Sequence, residues 1–64
     1  MKLIDLLQII DETTDVNVLD QDDNILGRYD GSESIDPSLN DREINNVQSG
    51  TWRGRHVIII YLTE

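Results

Sequence analysis

At 64 residues, with no cysteine and a formal net charge of −8, the chain predicts a single cytoplasmic domain, residues 1–64, that folds without disulfides, thiol catalysis or thiolate metal sites. So short a chain buries only about 60% of the surface its unfolded form exposes, which leaves a small core. The whole net charge lies in residues 1–36, where ten carboxylates stand against Lys2 and Arg28, while residues 37–64 balance three acids with three arginines; such a balance excludes the basic footprint that direct nucleic-acid binding requires.

The opening "KLIDLLQIID" places Leu3, Leu6, Leu7 and Ile10 on one helical face and Asp5, Gln8 and Glu12 on the other, predicting an amphipathic helix of roughly three turns. Asp5 interrupts its apolar part and "DETTD" follows it, which departs from a signal peptide. The longest apolar run, "VIIIYL" at Val57–Leu62, falls far short of the ~20 residues that span a bilayer, so no membrane partner is expected. "VNVLD" and "ILGRYD" read as two strands joined by the turn-forming "QDDN", a hairpin with Val16 and Val18 on one face of its first strand and Ile25 and Tyr29 on one face of its second.

Asp36 followed by Pro37 has the form of a helix N-cap and first helical position, so "PSLND" predicts a short helical turn. "REINNV", residues 42–47, either extends that turn or begins a third strand; its two asparagines favour the strand. Gly50 and Gly54 bracket "TWR" as a turn region, and "RHVIIIYL" is the strongest strand in the chain. The fold class is therefore α+β, an N-terminal amphipathic helix packed on an antiparallel sheet of three or four strands.

The last strand carries an expectation about assembly. Val57, Ile59 and Tyr61 alternate with Ile58, Ile60 and Leu62, so both faces are apolar and both call for a cover. One helix covers one face. The face of Ile58, Ile60 and Leu62 is accordingly a candidate homodimer contact, the alternative being that Leu39 and Ile44 close the second face within one chain.

Chemistry-bearing patterns are few. Asp20, Asp22 and Asn24 have EF-hand spacing, but Ile25 stands where the loop needs glycine and Gly31 where it needs glutamate, which argues for a polar turn and against calcium. "DGSES" matches the D-x-S-x-S of metal-dependent adhesion domains, which are far longer and draw further ligands from distant loops, so a solvated turn is the expected reading. The single histidine, His56, has no nucleophile at a recognised spacing, and "GTWRGR" lacks the ending of a phosphate-binding loop. No catalytic residue, metal or cofactor is expected. "TWRGRH" is the exception worth weighing: Trp and Arg are enriched at binding hot spots, so Trp52 and Arg53 are candidate partner contacts, unless Trp52 merely folds over the core edge.

The helix "MKLIDLLQIID", the acidic hairpin "VNVLDQDDNILGRYDG" and the "LNDREINNV" segment together resemble the small acidic accessory proteins of phages and mobile elements of Gram-positive bacteria, anti-CRISPR proteins among them. That class shares composition and not a motif, so it assigns no individual residue. The resemblance implies a non-catalytic inhibitor that presents a DNA-mimicking acidic face to the basic nucleic-acid groove of an RNA-guided nuclease. Asp20, Asp22, Asp23, Asp30 and Glu33 are the expected contacts, since a dense negative field attracts a basic protein surface. The alternatives are a homo-oligomeric structural or regulatory module whose charge serves solubility, and a weak divalent-metal binder.

Overall fold

A computed structural model describes residues 1–11, 13–29 and 35–63. In chain order the elements are α1 (Leu3–Leu7), β1 (Asp15–Leu19), β2 (Ile25–Tyr29), a 3₁₀ turn (Pro37–Leu39), β3 (Ile44–Trp52) and β4 (Arg55–Leu62). The strands form one four-stranded sheet in the order β2-β1-β4-β3. Both hairpins are antiparallel, but the central pair β1–β4 is parallel, from Asp15↔Val57 to Leu19↔Tyr61. The fold class is α+β with a mixed sheet, which corrects the expected all-antiparallel one. Parallel strands need a long crossover, and here the second strand of the first hairpin, the 3₁₀ turn and β3 together supply it.

The helix is also shorter than its apolar periodicity predicts: five residues in place of three turns. Two pairs of local bonds explain its end. The Leu6 carbonyl accepts from both Ile9 N and Ile10 N, and the Asp11 carboxylate takes Thr13 N and Thr13 Oγ1, each at 2.8 Å. Asp and Thr side chains that bond neighbouring backbone compete with helix in this way. Ile9, beyond the helix, is 72% exposed. At the other end the Asp5 carboxylate accepts from Lys2 N at 3.1 Å and satisfies one free N-terminal donor.

The core lies on one face of the sheet. Leu3, Val16, Val18, Ile60 and Leu62 are buried together, with Leu6, Leu7, Ile10, Leu39, Ile44 and Ile58 packed against them. Helix and 3₁₀ turn thus cover the same face. Ile60 and Leu62 are 0% exposed within the single chain, so these two members of the expected dimer contact are spent on the chain's own core and only Ile58 is part-exposed. Leu39 and Ile44 pack on this same face beside the helix residues, so they do not close the second face as the alternative held; the face of Val57, Ile59 and Tyr61 lies opposite the core.

The Asp36 carboxylate caps the 3₁₀ turn by accepting from Ser38 N at 2.9 Å, with Pro37 at the first position as expected. Residues from Ile44 onward are strand, which settles the choice left open by "REINNV". That strand runs through Trp52, so the turn is not "TWR" but Arg53–Gly54 alone. Both residues have positive φ, 53° and 78°, the pattern of a type I′ hairpin turn. In β2 a register shift opposite Val18–Leu19 puts Ile25 across from Leu19 and Tyr29 across from Val16. Ile25 and Tyr29 therefore part to opposite faces, and Ile25 is exposed whereas Tyr29 packs on the core.

Candidate binding surfaces

Two clusters outside the core bring candidate residues together. The first is the β1–β2 turn. Asp20 N donates to the Asn24 carbonyl (3.0 Å) and Asp23 N to the Asp20 carbonyl (3.3 Å). With Asp23 at φ 65°, the loop is a β-turn followed by a left-handed residue, a common hairpin connection. The Asp20 carboxylate holds the loop together: Oδ1 accepts from Asp22 N (2.8 Å) and Asn24 N (3.0 Å), and Oδ2 from Asn24 Nδ2 (3.1 Å). These bonds, those of Asn24 foremost, keep the Asp20 carboxyl below its ordinary value.

Asp20 is thus committed to the turn, while Asp22 and Asp23 point outward from it, exposed. Asp30 and Glu33, the other expected acidic contacts, lie outside the described residues. Among the described residues no three His, Cys, Asp or Glu side chains converge to hold a metal ion.

The second cluster lies on the sheet face opposite the core. The register puts Asp15, Asn17, Arg28, Trp52, Arg55 and Val57 on that side, where they line a cavity of about 190 Å³ together with Arg53. Trp52 is its centre. The guanidinium carbons of Arg28 and Arg53 stand 5.7 and 5.6 Å from the ring centroid, within cation–π range. Arg55 Nε donates to Asp15 Oδ2 at 3.0 Å, and the Asp15 side chain is 12% exposed against 69% for Arg55.

Three of the chain's five cationic side chains are therefore gathered at one place in a protein of net charge −8. Trp52 Nε1 is shut from solvent with no acceptor, the single buried side-chain polar atom so placed among the described residues. Such an unused donor costs about 1–3 kcal/mol.

Reading "TWRGRH" locates Trp52 and Arg53 but misses Arg28, Asp15 and Asn17. Those arrive through strand register from the other end of the chain, for which no local pattern gives a sign. His56 pairs with Thr51 in the β3–β4 ladder, exposed and next to the turn. Among the described residues no helix is long and apolar enough to cross a membrane. Comparison with protein-family models, with curated proteins and with solved structures returns no match, so the residues themselves carry any functional reading.

Proposed function

We propose that this protein is a non-catalytic binding protein of the bacterial cytoplasm that presents its acidic β1–β2 turn to a basic protein surface. The concrete case is an anti-CRISPR-type inhibitor occupying the nucleic-acid groove of an RNA-guided nuclease. One observation carries the reading: Asp20 spends its own carboxylate locking the turn, so the exposed Asp22 and Asp23 are held on a rigid tip instead of a loose loop. Preordered charge loses less entropy on docking, and a steep local field speeds encounter with Lys and Arg.

The test compares wild type with an Asp22→Lys, Asp23→Asn double variant. Asn keeps the left-handed backbone of position 23, which a lysine there would strain. The variant should stay folded and lose inhibition of target-DNA binding by CRISPR effector nucleases, with wild-type inhibition weakening as salt rises. Absence of inhibition by the wild type across a panel of such nucleases refutes the reading.

The homo-oligomeric alternative has support of its own in β3. This nine-residue edge strand, "INNVQSGTW", carries no charged residue, and Val47 on it is 45% exposed. Sheet edges are usually guarded by charge or proline. Two β3 edges paired antiparallel about a two-fold axis would join two sheets while keeping the acid-rich β1–β2 ends apart. A concentration-independent monomer mass by light scattering excludes it.

A further inference from the structure

We propose that residues 46–52 of β3 pair antiparallel with the same residues of a second copy of the chain, with Ser49 on the two-fold axis. This pairing rests on the homo-oligomeric reading of β3, to which it adds a register and two limits, and it makes no use of the acidic turn.

The direction of the backbone groups sets the register. β3 and β4 are joined by the two-residue turn Arg53–Gly54, so the closing pair Trp52↔Arg55 exchanges its hydrogen bonds within the hairpin. Successive pairs of an antiparallel ladder alternate in this respect, so Thr51, Ser49 and Val47 turn their N–H and C=O groups away from β4. All three residues are exposed, and β3 ends the sheet on that side. The Val47 N–H is met by Asn46 Oδ1 at 2.9 Å, a contact between neighbours that an added strand replaces. Positions 47, 49 and 51 are symmetric about 49. An antiparallel copy centred on Ser49 therefore opposes all three to one another, with two bonds at the Ser49 pair and two at each flanking Val47–Thr51 pair; a shift of the centre by one residue leaves an outward residue unmatched.

The length of the open edge gives the same centre. At its start the edge is filled by the chain itself: Ile44 N donates to the Met1 carbonyl and Leu3 N to the Arg42 carbonyl, each at 2.9 Å, and Lys2 bridges Glu43 in antiparallel fashion. The outer side of this strand thus already accepts a strand within one molecule. At the other end the hairpin turns away at Arg53–Gly54. Among the described residues nothing else pairs with this side of β3, which leaves residues 46–52 open beyond the bulge between Ile44 and Asn46. The middle of that stretch is again Ser49. In the pair, one copy's turn leaves the ladder where the other copy's Met1 begins.

Charge selects a second copy as the occupant. Ile44–Trp52 carries no charged residue in a chain of net charge −8, and neither the charge nor the proline that usually guards an edge is present. The sheet order places β3 at the edge opposite β2 and its acidic turn, so two copies that repel overall meet at least cost here. A copy of β3 also matches the outward groups in number, spacing and length.

The chain has no cysteine, so single cysteines report the register. A hydrogen-bonded antiparallel pair holds its Cα atoms about 5.5 Å apart, within disulfide range. Ser49→Cys should therefore give a disulfide-linked dimer under mild oxidation. Val47→Cys, which lies about 14 Å from its own copy in this register, should not, whereas cysteines at 47 and 51 together should. Light scattering follows the assembly in parallel. The mass should rise toward that of a dimer as concentration approaches about 1 mM, and sooner as salt is raised to about 0.5 M, because screening removes the repulsion between two anionic copies. Docking of the acidic turn on a basic surface has the opposite salt dependence.

Ser49→Lys sets two like charges face to face on the axis, so dimer affinity should fall about tenfold or more even though the chain becomes less negative. The same gain of charge at Ile9, 72% exposed, should leave the dimer no weaker in Ile9→Lys. A monomer mass at about 1 mM protein in high salt overturns this pairing and the homo-oligomeric reading together. A dimer mass without a Ser49→Cys cross-link, with equal cross-linking by Val47→Cys, or with full affinity in Ser49→Lys overturns the register and leaves that reading standing.

Discussion

Replacing Ile60 by alanine removes about three methylene equivalents from a side chain that is 0% exposed, a transfer loss of about 2.4 kcal/mol at ~0.8 kcal/mol each. Ile60 is flanked across the ladder by Val18 on β1 and Val47 on β3. Because Val47 is part-exposed on an edge strand, the wall on that side relaxes and the cavity term adds about 1 kcal/mol, for a total of about 3–4 kcal/mol. A chain of this length has some 3–10 kcal/mol to lose, at roughly 0.05–0.15 kcal/mol per residue.

Urea unfolding followed by Trp52 emission measures the change, with a slope near 1 kcal/mol/M. The midpoint should fall by about 3 M, or the variant should be unfolded without urea. Ile58→Ala, at a half-buried site of the same face, should lose about half as much. A loss under about 1 kcal/mol for Ile60→Ala would show that β4 does not centre the core and would return the Ile58–Ile60–Leu62 face to the role of an intermolecular contact.

Further expectations concern the polar devices. Asp11, Asp20 and Asp36 each accept hydrogen bonds that hold their carboxyls below the ordinary value. Their contribution to stability is therefore complete above the unfolded carboxylate value of about 3.9 and lost as pH falls through the lower folded values; urea midpoints should be flat near neutrality and drop in acid, less so in Asp20→Asn. Asp20→Ala should lower the melting temperature where Asp22→Ala leaves it unchanged, because only Asp20 bonds the turn. A double-mutant cycle on Asp15 and Arg55, 3.0 Å apart and half in solvent, should give a coupling of about 0.5–1 kcal/mol that shrinks with salt.

What the sequence discloses of this fold is what neighbours in the chain decide. "QDDN" and the Asp36–Pro37 step mark their turns because Asx bonds and fixed proline φ act over a few residues. The alternation in "VNVL" and "VIIIYL" marks strands for the same reason. Which strands lie side by side is decided by packing over long separations, so the parallel β1–β4 ladder has no local sign. The helix is overestimated because Leu3, Leu6, Leu7 and Ile10 keep helical spacing, while the Asp11–Thr13 bonds that end it leave no trace in hydrophobic periodicity. Of the candidate contacts, Trp52 and Arg53 stand side by side in one local pattern, and the structure stacks the guanidinium over the ring. Arg28 reaches them only through its register with Asn17, and the structural use of Asp20 becomes visible only once the turn is closed.

The parallel ladder bears on how the chain acquires its structure. Each hairpin closes over a short loop, but the sheet is complete only when Asp15–Leu19 meets Val57–Tyr61, about forty residues downstream, and loop closure at that range is entropically late. β4 supplies Ile60 and Leu62 to the core and follows every other strand in the chain. During synthesis the first hairpin thus emerges with Val16, Val18 and Leu26 uncovered and must wait for its central neighbour. Ten carboxylates lie in residues 1–36, so those apolar side chains are accompanied through that interval by a like charge that opposes association between copies.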